Sequence, residues 1–190
     1  MKENISRRIF IRKSAVATTG LALVASSTPL LAFSESNSPY KGYNPFAEEK
    51  NDLRTNPFGK HIAVSGKIFS SDGETILPNT SVEVWHLSPD SKKFRHNAKI
   101  KTNESGEYYF ITDLPYKEKN VPRNIFFKVT NNSESYFTKL YILSNTAYFN
   151  SQHWEENQNL GKHLATLSES TNTQMSIQFN ISLTNQTLKN

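Results

Sequence analysis

The chain of 190 residues has no cysteine, which rules out disulfides and thiolate metal sites and leaves its stability to packing alone. Only 7 glycines are present, and none falls in a phosphate-cradling loop. G-x-S-x-G and H-E-x-x-H are also missing, so hydrolase and nucleotide-enzyme readings have no residues to rest on. No uninterrupted apolar run reaches the length of a strong membrane span. A formal charge of +5 and a pI near 9.3 would suit a nucleic-acid partner if the charges were spread over the fold. They are not. Lys2, Arg7, Arg8, Arg12 and Lys13 stand against the single Glu3 at the start of the chain, and the remainder of the chain is close to neutral. No nucleic-acid partner is expected.

That basic leader reads S-R-R-I-F-I-R-K from Ser6 to Lys13 and continues into the modestly apolar stretch Ala15–Phe33, interrupted by Thr18, Thr19, Ser26, Ser27 and Pro29. It resembles a twin-arginine export signal, with Arg7 and Arg8 as the arginine pair. Ala32, Phe33 and Ser34 offer small residues at the spacing a signal peptidase uses, so residues 1–34 are read as signal and Glu35 as the first mature residue. Retention as an N-terminal anchor is the alternative. Either way the protein is expected outside the cytoplasm, in the periplasm or cell envelope, with no stable membrane span in the mature chain.

Residues 35–60 carry Ser, Asn, Pro and Lys with scattered aromatics (Tyr40, Tyr43, Phe46, Phe58) and no regular period, which predicts an extended arm lying over the domain. From residue 61 to 190 the pattern is one of short β-branched and aromatic runs broken by turns. Strands are predicted at Ile62–Phe69, Ser81–His86, Glu107–Thr112, Ile125–Thr130, Phe137–Leu143 and Met175–Leu183, with turns at Asp72-Gly73, Pro78-Asn79 and Ser105-Gly106. Gln152–Ser170 is polar and suits a short helix or a surface loop. The expected class is all-β, a β-sandwich.

Within the sandwich region the landmarks are G-K-I-F-S-S-D-G from Gly66, V-E-V-W-H at Val82–His86, T-N-E-S-G-E-Y-Y-F at Thr102–Phe110, Pro115-Tyr116, P-R-N-I-F-F-K-V at Pro122–Val129 and F-T-K-L-Y-I at Phe137–Ile142. In this order they resemble the catalytic domain of intradiol ring-cleavage dioxygenases, a fold shared with prealbumin-like sandwich modules. The resemblance implies Fe(III) held by two tyrosinates and two histidines. It assigns the first tyrosine to the turn Lys92–His96, where Phe94 stands, and the second to Tyr116. The two histidines, at i and i+2 on one strand, fall on Asn124 and Phe126, and the arginine that steadies bound catecholate falls on Val121. A register slid by two places offers Phe126 and Lys128 for the histidines, so the loss survives it.

Tyr116 is thus the one family ligand that remains. The expectation is an exported dioxygenase-like protein that is catalytically degenerate and serves as a binding or structural module for a small molecule or an envelope partner. No cofactor is expected, and Fe(III) only if the family activity persists. The alternatives are an active Fe(III) intradiol dioxygenase and a prealbumin-like carbohydrate- or protein-binding module, for which aromatics in the arm and around Trp154 are the hint. A metal held by His86, His96 and Tyr116 is a further option.

Overall fold

Alternating side chains give each strand an inward and an outward face, and the inward faces of two sheets make the core. The computed structural model describes residues 38–144, 146–171 and 173–183, so the leader with Arg7 and Arg8 lies outside the described residues. One sheet holds β1 (His61–Phe69), β4 (Glu107–Asp113), β8 (Leu167–Ser170), β9 (Gln174–Gln178) and β10 (Ile181–Ser182). The other runs in the order β3 (His96–Lys101), β2 (Ser81–His86), β5 (Arg123–Asn131), β6 (Glu134–Ile142), β7 (Ala147–Phe149). The protein is an all-β sandwich. A short helix, α1 (Ser151–Glu156), and a 3-10 turn (Gln158–His163) follow β7. Among the described residues no helix is long and apolar enough to cross a membrane.

Ile62, Val64 and Ile68 of β1 meet Val82 and Val84 of β2, Ile125 and Val129 of β5, and Leu140 and Ile142 of β6 in one buried cluster. Phe127 centres it, with ring centroids at 6.4 Å from Tyr108, 6.1 Å from Phe110 and 5.2 Å from Phe179. Burying a ring of this kind contributes about 2–3 kcal/mol. The predicted turns close through side chains. Asp72 accepts the Glu74 and Thr75 N–H groups at 2.8 Å, and Asn103 Oδ1 accepts those of Ser105 and Glu107 at 2.9 Å.

The arm from residue 38 onward crosses the outer face of β2 and pairs with an edge strand of each sheet. Lys99 of β3 exchanges backbone bonds with Glu48 and Lys50, and Ile111 of β4 does the same with Asn51 and Leu53. Leu53 is drawn into the core.

Three strands, β3, β7 and β8, go beyond those the sequence pattern predicts. β3 reads H-N-A-K-I-K, with only Ala98 and Ile100 as apolar inward residues. The single strand expected at Met175–Leu183 is corrected to two. The chain leaves β9 at Phe179 and Asn180 and steps along β1 to β10, with the Phe179 N–H donating to Ser65 O and Asn180 Oδ1 accepting the Lys67 N–H. Gly66 permits this step, because a Cβ there would collide with the Phe179 carbonyl oxygen. Gly66→Ala is therefore expected to lower unfolding free energy by at least about 2 kcal/mol, measured by urea denaturation.

Candidate functional site

Ile125, Phe127 and Val129 of β5 point into the core, which turns Asn124, Phe126 and Lys128 to the outer face. Trp85 of β2 lies beside Phe126 in register. On an open sheet face these residues would meet water. The arm covers them instead, leaving Trp85 1% and Glu83 6% exposed. The Trp85 indole N–H donates to Lys41 O at 3.0 Å, and the ring stacks on Phe126 at 5.6 Å. Phe126 stacks in turn on Tyr40 at 4.9 Å and tilts against Phe94 at 6.2 Å. The arm backbone at Gly42 rests on Phe94: its φ of +81° and the Phe94 ring lying where a Cβ would stand both require glycine.

The polar atoms under the arm are closed upon one another. The Tyr43 hydroxyl donates to Glu83 Oε2 at 2.8 Å and accepts from Lys128 Nζ at 2.9 Å. Glu83 is flanked by Lys128 at 3.3 Å and Lys99 at 3.2 Å. Burial works to lower the Lys128 pKa, but the Tyr43 hydroxyl and the Glu83 charge outweigh it and raise the pKa above its ordinary value. Lys139 lies over the rings of Tyr40 and Tyr141, at 5.3 and 5.2 Å.

The positions that the resemblance assigns to iron are only partly brought together. Phe94 and Phe126 touch, and Asn124 lies two residues along the same face, opposite Tyr141 in register. Tyr116 is in the loop after β4, its N–H donating to Leu87 O at 3.3 Å, and Val121 is 40% exposed in the same loop. Together the four ligand positions offer one phenol, one neutral amide and two hydrocarbon rings, with the Phe126 ring stacked on both Tyr40 and Trp85. Ferric iron calls for anionic oxygens and imidazoles, so these residues do not fit it.

His86 and His96 do come together, stacked at 4.7 Å, but not as open ligands. The His86 Nδ1–H donates to Leu87 O at 2.8 Å and its Nε2 meets Thr112 Oγ1 at 2.7 Å. The His96 Nε2–H donates to Asp113 Oδ2 at 3.0 Å while Nδ1 meets Ser88 Oγ at 3.1 Å. Among the described residues no group of three or more His, Cys, Asp or Glu is placed to hold a metal ion. Burial, and secondarily the neighbouring His96, pushes the His86 pKa down to about 3. Burial alone pushes His153 of α1 down to about 4, where it packs 4.7 Å from Phe179. Trp154, next to it, is half exposed and stacks on Phe149.

No protein-family model matches the chain, and no curated protein matches it in sequence. Solved structures do match. The dioxygenase domain of a dioxygenase carbohydrate-binding fusion from Streptomyces sp. SirexAA-E superposes with a TM-score of 0.57 at 18% identity, covering 78% of this chain and 94% of that one. The 3-chlorocatechol 1,2-dioxygenase of Rhodococcus opacus 1CP gives 0.55 at 14%, covering 77% and 70%, and an intradiol ring-cleavage dioxygenase of Tetranychus urticae gives 0.55 at 10%, covering 78% and 92%. The fold is that of the intradiol dioxygenases. At such identities the likeness carries architecture, and chemistry has to be judged from the residues of this intradiol-type sandwich itself.

The resemblance points to Phe94, Asn124 and Phe126, and the sequence predicts an arm bearing Tyr40 and Tyr43 over the domain; that Tyr40 stacks on Phe126, Tyr43 packs on Trp85 and Lys128 pairs with Tyr43 has no signal in the sequence. Two of the buried histidines, His86 and His153, have a measurable signature. Their folded values of about 3 and about 4 lie below the ordinary 6.5, so only the unfolded chain takes up these protons as pH falls below 6.5. The stability they contribute is complete above that value and is lost toward pH 4, at about 1.4 kcal/mol per pH unit for each histidine. Urea denaturation across this range is expected to show that slope, and His86→Gln to flatten it.

Proposed function

We propose that this chain is an intradiol dioxygenase-like sandwich that binds rather than oxidises, exported folded and working in the periplasm or cell envelope. One observation carries the reading: Phe126, at a position assigned to an iron-binding histidine, is stacked on both Tyr40 and Trp85 beneath the arm. A phenyl ring has no donor for a metal, and its burial in an aromatic cluster is favourable by itself. The fold shared with catechol-type dioxygenases supports descent from a ring-cleaving ancestor. The Arg7-Arg8 leader supports export, because the twin-arginine route carries proteins already folded.

Two experiments test this. The full chain expressed with iron in the medium is expected to purify colourless, without stoichiometric iron, and to leave catechol uncleaved. A coloured protein with one iron per chain and a ring-cleavage product would instead establish the active dioxygenase. For export, changing Arg7 and Arg8 together to lysine is expected to hold the protein in the cytoplasm on fractionation, and unaltered secretion would refute the twin-arginine route.

A further inference from the structure

At one end of the sandwich, away from the arm-covered face, the strand termini leave a cleft of about 300 Å³. Its walls come from five segments distant in sequence: the start of β1, the loop after β4, the start of β5, the loop after β6 and the β8–β9 turn. Two of its lining residues, Lys60 and Arg123, are permanent cations, and among the described residues no Asp or Glu lines it. Neither cation has a carboxylate partner among the described residues. A second cleft of about 230 Å³ shares Lys60 and Arg123 and adds Lys117, which extends the positive region. The acid that reaches this second cleft, Asp113, is engaged through Oδ2, while its buried Oδ1 accepts no hydrogen bond. Its Oδ2 accepts from His96 at 3.0 Å and from the Thr55 N–H and O–H at 2.8 and 2.7 Å, and His61 Nε2 lies 3.4 Å from Oδ1. Burial works to raise its pKa, but the Thr55 bonds and His96 prevail and hold it lowered.

We propose that this end cleft binds a small hydroxylated carboxylate of the sugar-acid class. Arg123 is oriented for it: the Nε–H donates to Pro115 O at 2.9 Å, which fixes the guanidinium plane and leaves the terminal nitrogens for a carboxylate. The hydroxyls of Ser144 and Thr173 suit the hydroxyl groups of such a ligand, and Leu114, Leu143 and Met175 give a ring's C–H face something apolar to rest on. The volume lies at the small end for ligand cavities and accommodates one ring, not a chain of them. An uncompensated pair of cations in a partly enclosed cleft raises the local concentration of anions whatever else the site does.

This inference takes from the proposed function only that the ligand is bound and not turned over, and it is separable from the iron experiment. Calorimetric titration of the full chain with glucuronate, with glucose and inorganic phosphate as comparators, provides the test. Saturable glucuronate binding is expected, with glucose at least about tenfold weaker, because it has the same ring without the carboxylate. Arg123→Gln and Lys60→Gln are each expected to weaken glucuronate about tenfold. Lys60→Gln guards against a folding failure of the arginine variant, since no side-chain bond of Lys60 would be lost. Equal affinity for glucose, binding that survives both substitutions, phosphate binding without glucuronate binding, or no binding at all would each overturn the assignment. Iron-dependent catechol cleavage alongside intact glucuronate binding would overturn the proposed function and leave the cleft assignment standing.

Discussion

The backbone pairing of the arm with β3 and β4 is the constraint on which the outer face depends. Lys99 is bonded on both sides of Glu49, and Ile111 on both sides of Asp52, so one stretch of extended chain is fastened at one point to an edge strand of each sheet. Exposed edges invite pairing with other chains, and at Lys99 and Ile111 the protein's own sequence takes up that pairing. The same placement brings Tyr40 and Tyr43 over β2. A central strand that would have one wet face becomes buried on both, and Glu83 tolerates this because Tyr43, Lys99 and Lys128 surround it.

With that cover in place, the choice of side chain beneath it is decided by packing. Phe94 offers its ring to the backbone of Gly42, and Phe126 offers one to Tyr40 and another contact to Trp85. A histidine at 126 would bring two ring nitrogens into a cluster of hydrocarbon, where each would need a partner. The aromatic cluster and the cationic end cleft differ in kind: the first is built of ring-on-ring contacts beneath the arm, while the second gathers Lys60 and Arg123 with no carboxylate ion pair to either among the described residues.

Much of the sandwich is legible in the chain because its central strands alternate strongly. β1, β2, β4, β5 and β6 each begin and end within a few residues of where their apolar residues and turns place them. β3 is hidden because Lys99 and Lys101 interrupt it, and its partner on the outer side is the arm, which has no period of its own. The break at Phe179–Asn180 is hidden because Met175, Ile177, Phe179, Ile181 and Leu183 alternate without interruption; the residue whose missing Cβ leaves room for the Phe179 carbonyl is Gly66, more than a hundred residues earlier. Phe94, Asn124 and Phe126 can be found by the order of motifs around them. Tyr40 and Tyr43 cannot be assigned partners from sequence, since their contacts lie far along the chain, and the cleft is invisible there because only the folded topology gathers its five segments.

The position of β1 also sets the order in which the molecule can be made. Among the described residues β1 is the first strand synthesised, yet it pairs along one edge with β9 and β10, the last of them, with Ile62 opposite Met175 and Ile68 opposite Ile181. Until residue 182 has left the ribosome, that edge of β1 stays open and the first sheet has no second side. Contacts so distant in sequence are slow to form and leave partly built sheets exposed meanwhile. Completion of this sheet therefore waits on the return of β9 and β10 to a strand made more than a hundred residues earlier.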